Sequence, residues 1–154
     1  MIEIIDYSDK YAQDFKQLNW EWLHKFDLAE SHDLEIINDP KGMILEKDGY
    51  IYLAKSGDEI VGTAGLANEG NSIFELVKMA VAPAFQGQGI SKMLLEKCLQ
   101  KAKEINATKI FLYSNSKLTR AIGLYKKYGF VHVDASNAPL VTADVKMELL
   151  LSSN

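Results

Sequence analysis

Apolar positions along this chain change their period several times, and each change marks an element. Ile2 to Ile5 reads as a short strand. Tyr11, Phe15, Leu18, Trp22 and Phe26 then recur every three to four residues, which predicts a helix capped by Ser8 and running to about His24. A second, short helix starts at Ser31 and stops before Asn38-Asp39-Pro40, because proline cannot continue it. The segment from Met43 to Val81 is β-rich. Turn chemistry at Asp48-Gly49, Ser56-Gly57-Asp58 and Asn68 to Asn71 divides it into three strands of an antiparallel meander, the last at Phe74 to Val81.

Beyond Pro83 helix and strand alternate. Ile90, Leu94, Cys98 and Ala102 fall on one helical stripe, and Thr108 to Ser114 suits a buried strand. Leu118, Ile122 and Tyr125 define another helix, ended by Gly129. Phe130 to Asp134 and Ala143 to Leu151 close the chain as strands, with Asp134 to Thr142 as an exposed loop between them. The order βααβββαβαββ predicts an α+β sandwich around one mixed sheet.

At 154 residues, 47% hydrophobic and 25% charged, the chain suffices for one well-buried core, so residues 1–154 are read as a single domain. The first ten residues carry acidic side chains where a signal peptide carries basic ones, and no apolar run approaches the roughly 18 residues of a membrane span. A soluble, cytoplasmic protein with no membrane partner is expected. The lone Cys98 excludes an internal disulfide, and the scattered His24, His32 and His132 give no metal-ligand spacing. The net charge of -4 and the lack of a basic run argue against nucleic acid as a partner, yet the charge is unevenly spread. Residues 1–60 hold 6 Lys against 14 Asp and Glu, whereas residues 61–154 hold 11 Lys and Arg against 7.

The glycines of Gln86-Gly87-Gln88-Gly89 stand directly before a helix, where alanine would keep more order. The first N–H groups of a helix lack intrahelical partners, and the peptide dipoles place about +0.5 charge there. Glycines admit a phosphate to those N–H groups, so the stretch reads as a pyrophosphate cradle. The plain alternative is a loop that needed flexibility. A P-loop is excluded by the missing Gly-Lys-[Ser/Thr], and a dinucleotide fingerprint by Lys92 in place of its last small residue.

Gln86-Gly87-Gln88-Gly89-Ile90-Ser91 resembles the acetyl-CoA loop of the GNAT superfamily of N-acetyltransferases, Gln/Arg-x-x-Gly-x-Gly/Ala, with Ser91 departing at the last place. ELVKMAVAPAFQGQGI resembles that family's central strand and loop. NSKLTRAIGLYKKYGF resembles its late helix through Ala121, Leu124, Tyr125, Gly129 and Phe130. The three stretches occur in the family's order and spacing, and the likeness covers essentially the whole chain. It implies the GNAT fold: a mixed, mostly antiparallel sheet of about six to seven strands flanked by about four helices.

The resemblance also implies that the central strand and the next one splay apart, freeing backbone groups of Met79, Ala80 and Val81 for the pantetheine arm. Gln86 to Ser91 would then hold the pyrophosphate of acetyl-CoA, the co-substrate, with no metal. The partner would be an amine acceptor; a homodimer is left open. The reaction is attack of a neutral amine on the thioester, which requires a base because an alkyl ammonium titrates near pH 10. Glu75 matches the position of a catalytic glutamate in several family members. Strand alternation puts it on the face of Val77, Met79 and Val81 unless a bulge inverts the parity.

Tyr125 matches the family tyrosine that protonates the leaving thiolate, with Tyr128 a weaker competitor. Asn115 is placed to bond pantetheine or acceptor. The plain alternatives are a surface carboxylate, a core aromatic and a strand-end asparagine. Lys92, Lys117, Arg120, Lys126 and Lys127 are candidates for the adenosine phosphates. The acidic front half, with Glu21, Asp27, Glu30 and Asp33, points to a cationic acceptor, on which Trp20 or Trp22 could stack. A CoA-binding module that lost catalysis is the competing reading.

Overall fold

A computed structural model describes residues 1–25, 31–136 and 143–151. The elements are β1 (Ile2–Asp6), α1 (Ala12–Lys25), α2 (Ser31–Asn38), α3 (Pro40–Met43), β2 (Tyr50–Ser56), β3 (Glu59–Asn68), β4 (Ile73–Val81), α4 (Ile90–Glu104), β5 (Lys109–Ser114), α5 (Thr119–Lys127), β6 (Val131–Val133) and β7 (Val145–Leu150). The expected order holds with one added helix. Asp39 accepts from the Gly42 N–H, so Pro40 opens a short helix of its own as well as ending the previous one. Ser8 makes no side-chain cap. A 3-10 turn at Asp9–Tyr11 intervenes before α1, and another at Leu45–Lys47 occupies the start of the stretch expected to be β-rich.

The strands form one sheet in the order β1-β2-β3-β4-β5-β7-β6. Every neighbouring pair is antiparallel except β4 and β5, which run parallel because α4 connects them. One face is covered by α4 and α5. Leu94, Leu95, Cys98 and Ala102 of α4 are fully buried there against Ala54, Val61, Leu66, Ile110 and Leu112. The other face carries α1, whose Phe15 and Leu18 pack on Ile51, Leu53 and Ile60 with Ile36 and Ile44. Each such side chain contributes roughly 1.5–3 kcal/mol through burial, so both layers are needed. A third, small cluster of Leu23, Ile37 and Leu118 joins α1 and α2 to the start of α5.

Two details of the sheet position the site. At Gly62 a Cβ would come within 3.1 Å of Leu94 Cδ1 and 3.2 Å of Ile90 Cγ2, so glycine there lets the first turn of α4 lie directly on β3. The β3–β4 register shifts between Thr63 and Gly65, where Thr63 faces Ala80 but Gly65 faces Val77. One extra residue of β4 is therefore accommodated at Lys78–Met79, and Lys78 adopts a left-handed φ of 54°.

The candidate co-substrate cleft and active site

A cleft of about 680 Å³ opens between the end of β4, the loop after it, the first turn of α4 and one side of α5. Met79, Ala80 and Val81 line it from the strand, and Gln86, Gly87, Gly89, Ile90 and Ser91 line it from the loop and helix. Gln88 stands outside this lining, as do Glu75 and Asn115. Gly87 and Gly89 have φ of 81° and 78°, a region costly for residues with a Cβ, and an added Cβ at either meets no protein atom within 4 Å. Gly89 is the N-cap of α4. No side chain caps the helix and no acidic residue lies in its first turn, so the positive end of α4 faces the cleft. Gln86 is the brace of the loop: its Nε2 donates to the Val81 carbonyl at 3.2 Å.

The β4–β5 ladder spans only Ile73 to Glu75 opposite Lys109 to Phe111. Beyond it β5 stays paired with β7 through Ser114 and β4 with β3 through Val81, so the two strands part above Glu75. The bulge corrects the simple alternation. Phe74 and Leu76 enter the core under α4, Val77 packs with the α1 layer, and then Met79 and Val81 return to the α4 side. Glu75 thus shares a face with Val77 but not with Met79 and Val81; the extra residue inverts the parity between them.

Tyr125 is 7% exposed, lines the cleft and packs on Phe130 with ring centroids 5.8 Å apart. Burial, with Cys98 beside it, raises its pKa well above the usual 10. Among the basic candidates, Lys92, Lys117, Arg120 and Lys127 line the cleft, whereas Lys126 does not. The Asn115 side-chain oxygen accepts from the Lys117 N–H at 2.9 Å, and its carbonyl from the Leu118 N–H, which shapes the turn into α5. Asp144 clamps the same turn from the start of β7 by accepting from the Ser116 N–H and hydroxyl at 2.8 and 2.7 Å.

On the opposite side of the sheet, Glu75 pairs in register with Phe111 and lies in Coulomb range of Tyr113. Burial raises the pKa of Tyr113, and Glu75, Glu69 and Glu148 raise it further. Lys146 lies over the rings of Phe111 and Tyr113, at 5.1 and 5.6 Å, and Lys109 pairs with Glu148 at 3.2 Å. Of the front-half candidates, Glu21 accepts from Gln17, and Trp20 is exposed against His24. Asp27, Glu30 and the side chains of Trp22 and Asp33 lie outside the described residues.

Sequence inspection missed Phe85, Thr119 and Gly123 of the cleft lining, and it missed the buried Asn19 and Thr63. A signal for Asn19 was present: it lies four residues after Phe15 and four before Leu23, on the buried stripe of α1.

The acetyltransferase (GNAT) family model matches residues 11–130. The uncharacterized N-acetyltransferase YvbK of Bacillus subtilis is 31% identical over 66% of this chain and 67% of its own length. The uncharacterized N-acetyltransferase YjgM of Escherichia coli is 32% identical over 59% of this chain and 57% of its own. The match thus spans somewhat over half of the latter relative. Among solved structures, an acetyltransferase of the GNAT family from Staphylococcus aureus superposes with a TM-score of 0.88 at 25% identity, covering 99% of this chain and 100% of that one. The PaiA N-acetyltransferase of Thermoplasma acidophilum, solved in complex with coenzyme A, shares the fold with a TM-score of 0.77 at 19% identity, covering 98% and 99%. The chain belongs to the GNAT acetyltransferase family.

Proposed function

We propose that the protein transfers an acetyl group from acetyl-CoA to a primary amine by direct attack in a ternary complex. One observation carries the reading. The open first turn of α4, two left-handed glycines and Tyr125 surround the stretch of β4 from which β5 has departed. Pyrophosphate fits the cradle because the space a Cβ would fill at Gly87 and Gly89 is open. Lys92, Lys117, Arg120 and Lys127 offer the remaining phosphates countercharge.

Acetyl-CoA supplies an activated acyl carbon and a thiolate leaving group. The Met79 N–H stabilises the developing charge on the thioester oxygen, an interaction worth roughly 3 kcal/mol when preorganised. Tyr125, kept protonated by burial, hands its proton to the departing sulfur. Glu75 approaches from the opposite face of the sheet and takes the proton of the amine, directly or through a water. Glu69 and Glu75 beside Tyr113 favour a cationic acceptor, whereas Glu148 there is paired with Lys109 and Lys146.

The test is release of free thiol from acetyl-CoA over amino acids, polyamines, aminoglycosides and peptides. Turnover with at least one class supports the reading. Binding of acetyl-CoA without turnover over the whole panel would instead identify a silent CoA-binding module.

A further inference from the structure

Apart from tyrosines and Cys98, Asn19 and Thr63 are the two buried polar side chains among the described residues, at 3% and 0% exposure. They are bonded to each other. Asn19 Nδ2 donates to Thr63 Oγ1 at 3.2 Å and to the Phe15 carbonyl at 2.9 Å, and Thr63 Oγ1 donates to the Lys78 carbonyl at 2.7 Å. Both amide hydrogens and the hydroxyl hydrogen are therefore used. Leucine and valine would fill these positions without any polar group to satisfy, so packing alone does not account for the pair. What they reach does.

Lys78 is the residue of the β4 bulge with a left-handed φ, a conformation that a side-chain-bearing residue keeps only when its surroundings hold it. No described peptide is cis, so the Lys78–Met79 peptide is planar and trans, with its C=O and N–H pointing in opposite directions. Thr63 belongs to β3 and fixes the carbonyl. In a trans peptide this leaves the Met79 N–H directed opposite to the Thr63 hydroxyl, and Met79 itself lines the cleft where β5 has left the ladder.

We infer that Thr63, held by Asn19 from α1, is a positioning residue that aims the Met79 N–H at the acyl oxygen. The inference rests on the proposed function for the identity of that oxygen. It goes further in assigning a relay from a helix of the α1 layer, through one hydroxyl, to the donor on the other side of the sheet. Thr63 touches no reacting atom; it sets the rotation of a single peptide.

The experiment uses Thr63→Val, nearly isosteric and without a donor, beside Thr63→Ser, which keeps the hydroxyl. Methionine occurs five times, so 15N-methionine labelling gives an amide spectrum simple enough to assign Met79. Acetyl-CoA is expected to shift the Met79 amide in wild type and Thr63→Ser but not in Thr63→Val. In the valine variant kcat should fall by about tenfold or more, because the lost donor acts on the transition state. KM for acetyl-CoA should stay within about twofold, because the cradle lies elsewhere. Serine should restore most of the rate. A purely structural role would lower the melting temperature without this split between kcat and KM.

Wild-type values of kcat and of the Met79 shift in Thr63→Val would overturn the relay, as would a wild-type Met79 amide indifferent to acetyl-CoA. If wild type releases no thiol with any amine, the proposed function fails, while the amide shift still decides the relay. If Thr63→Val is not recovered folded, Thr63→Cys, a weaker donor of similar size, should reproduce the loss, and full activity with an unaltered shift would contradict it.

Discussion

The phenol of Tyr128 donates to Glu96 Oε2 at 2.8 Å, tying the end of α5 to α4. Tyr125, three residues earlier, lines the cleft instead. One helix thus carries a bracing tyrosine and the tyrosine proposed as the acid. Tyr125→Phe should lower kcat about a hundredfold with little change in acetyl-CoA affinity, since the ring packing survives and only the acid is lost. Tyr128→Phe should leave kcat within about twofold. Steady-state kinetics at saturating amine, with chemistry rate-limiting, makes the comparison, and an unchanged kcat for Tyr125→Phe removes it from the mechanism.

The proposed CoA site uses two glycines differently, one in the loop before α4 and one in α5. Gly89→Glu should abolish thermal stabilisation by CoA, since it places a side chain and a negative charge where phosphate would lie. Gly123 sits inside α5 with open space where its Cβ would be, and it lines the cleft. Gly123→Ala should therefore stabilise the ligand-free protein by about 1 kcal/mol, or about 3 °C, through helix propensity. It should also weaken CoA binding severalfold. A melting scan with and without CoA reads both effects, and tighter binding by Gly123→Ala would place the ligand elsewhere.

Burial pushes the pKa of the fully buried Cys98 up from 9.0 to about 12, and that of Tyr125 is raised as well. Both groups hold their protons more tightly folded than unfolded. The associated stability is complete below the unfolded values and is lost as pH rises toward the folded ones. Stability should thus be flat in these groups below pH 9 and fall above it, by about 1.4 kcal/mol per pH unit for each group in its window. Cys98→Ala, whatever its offset in absolute stability, should flatten the slope between about pH 9 and 10. Denaturant titrations across that range test this; an unaltered slope would show that the thiol is not the titrating group.

Much of this architecture is legible in the sequence, because the amphipathic stripes of α4 and α5 and the turns around β2, β3 and β4 are local signals. The glycines before α4 are visible for the same reason, and the sequence offers both a phosphate cradle and a flexible loop as their cause. What escapes is set by contacts between distant segments. No local pattern marks the bulge at Lys78–Met79, whose Lys78 carbonyl accepts from Thr63 of one strand, itself bonded to Asn19 of a helix. The face of Glu75 escapes with it, since one inserted residue reverses every later side chain in β4. At Asn115 the sequence shows only a place after a buried strand, and not that its side-chain oxygen bonds the turn that leads into α5.

A cationic acceptor, as proposed from Glu69 and Glu75 beside Tyr113, predicts that kcat/KM for the best amine falls as salt rises at saturating acetyl-CoA. Glu75→Gln should displace the pH dependence of the same parameter rather than only scale it. A best acceptor that is neutral or anionic, with a rate indifferent to salt, would defeat the electrostatic argument and leave acetyl transfer standing.

The most direct measurement is thiol release from acetyl-CoA, with and without each amine of the panel, by wild type and by Gly89→Glu side by side. The account predicts release that requires both substrates in wild type and falls to background in the variant. Release unaffected by Gly89→Glu, or neither release nor thermal stabilisation by CoA in wild type, would contradict it.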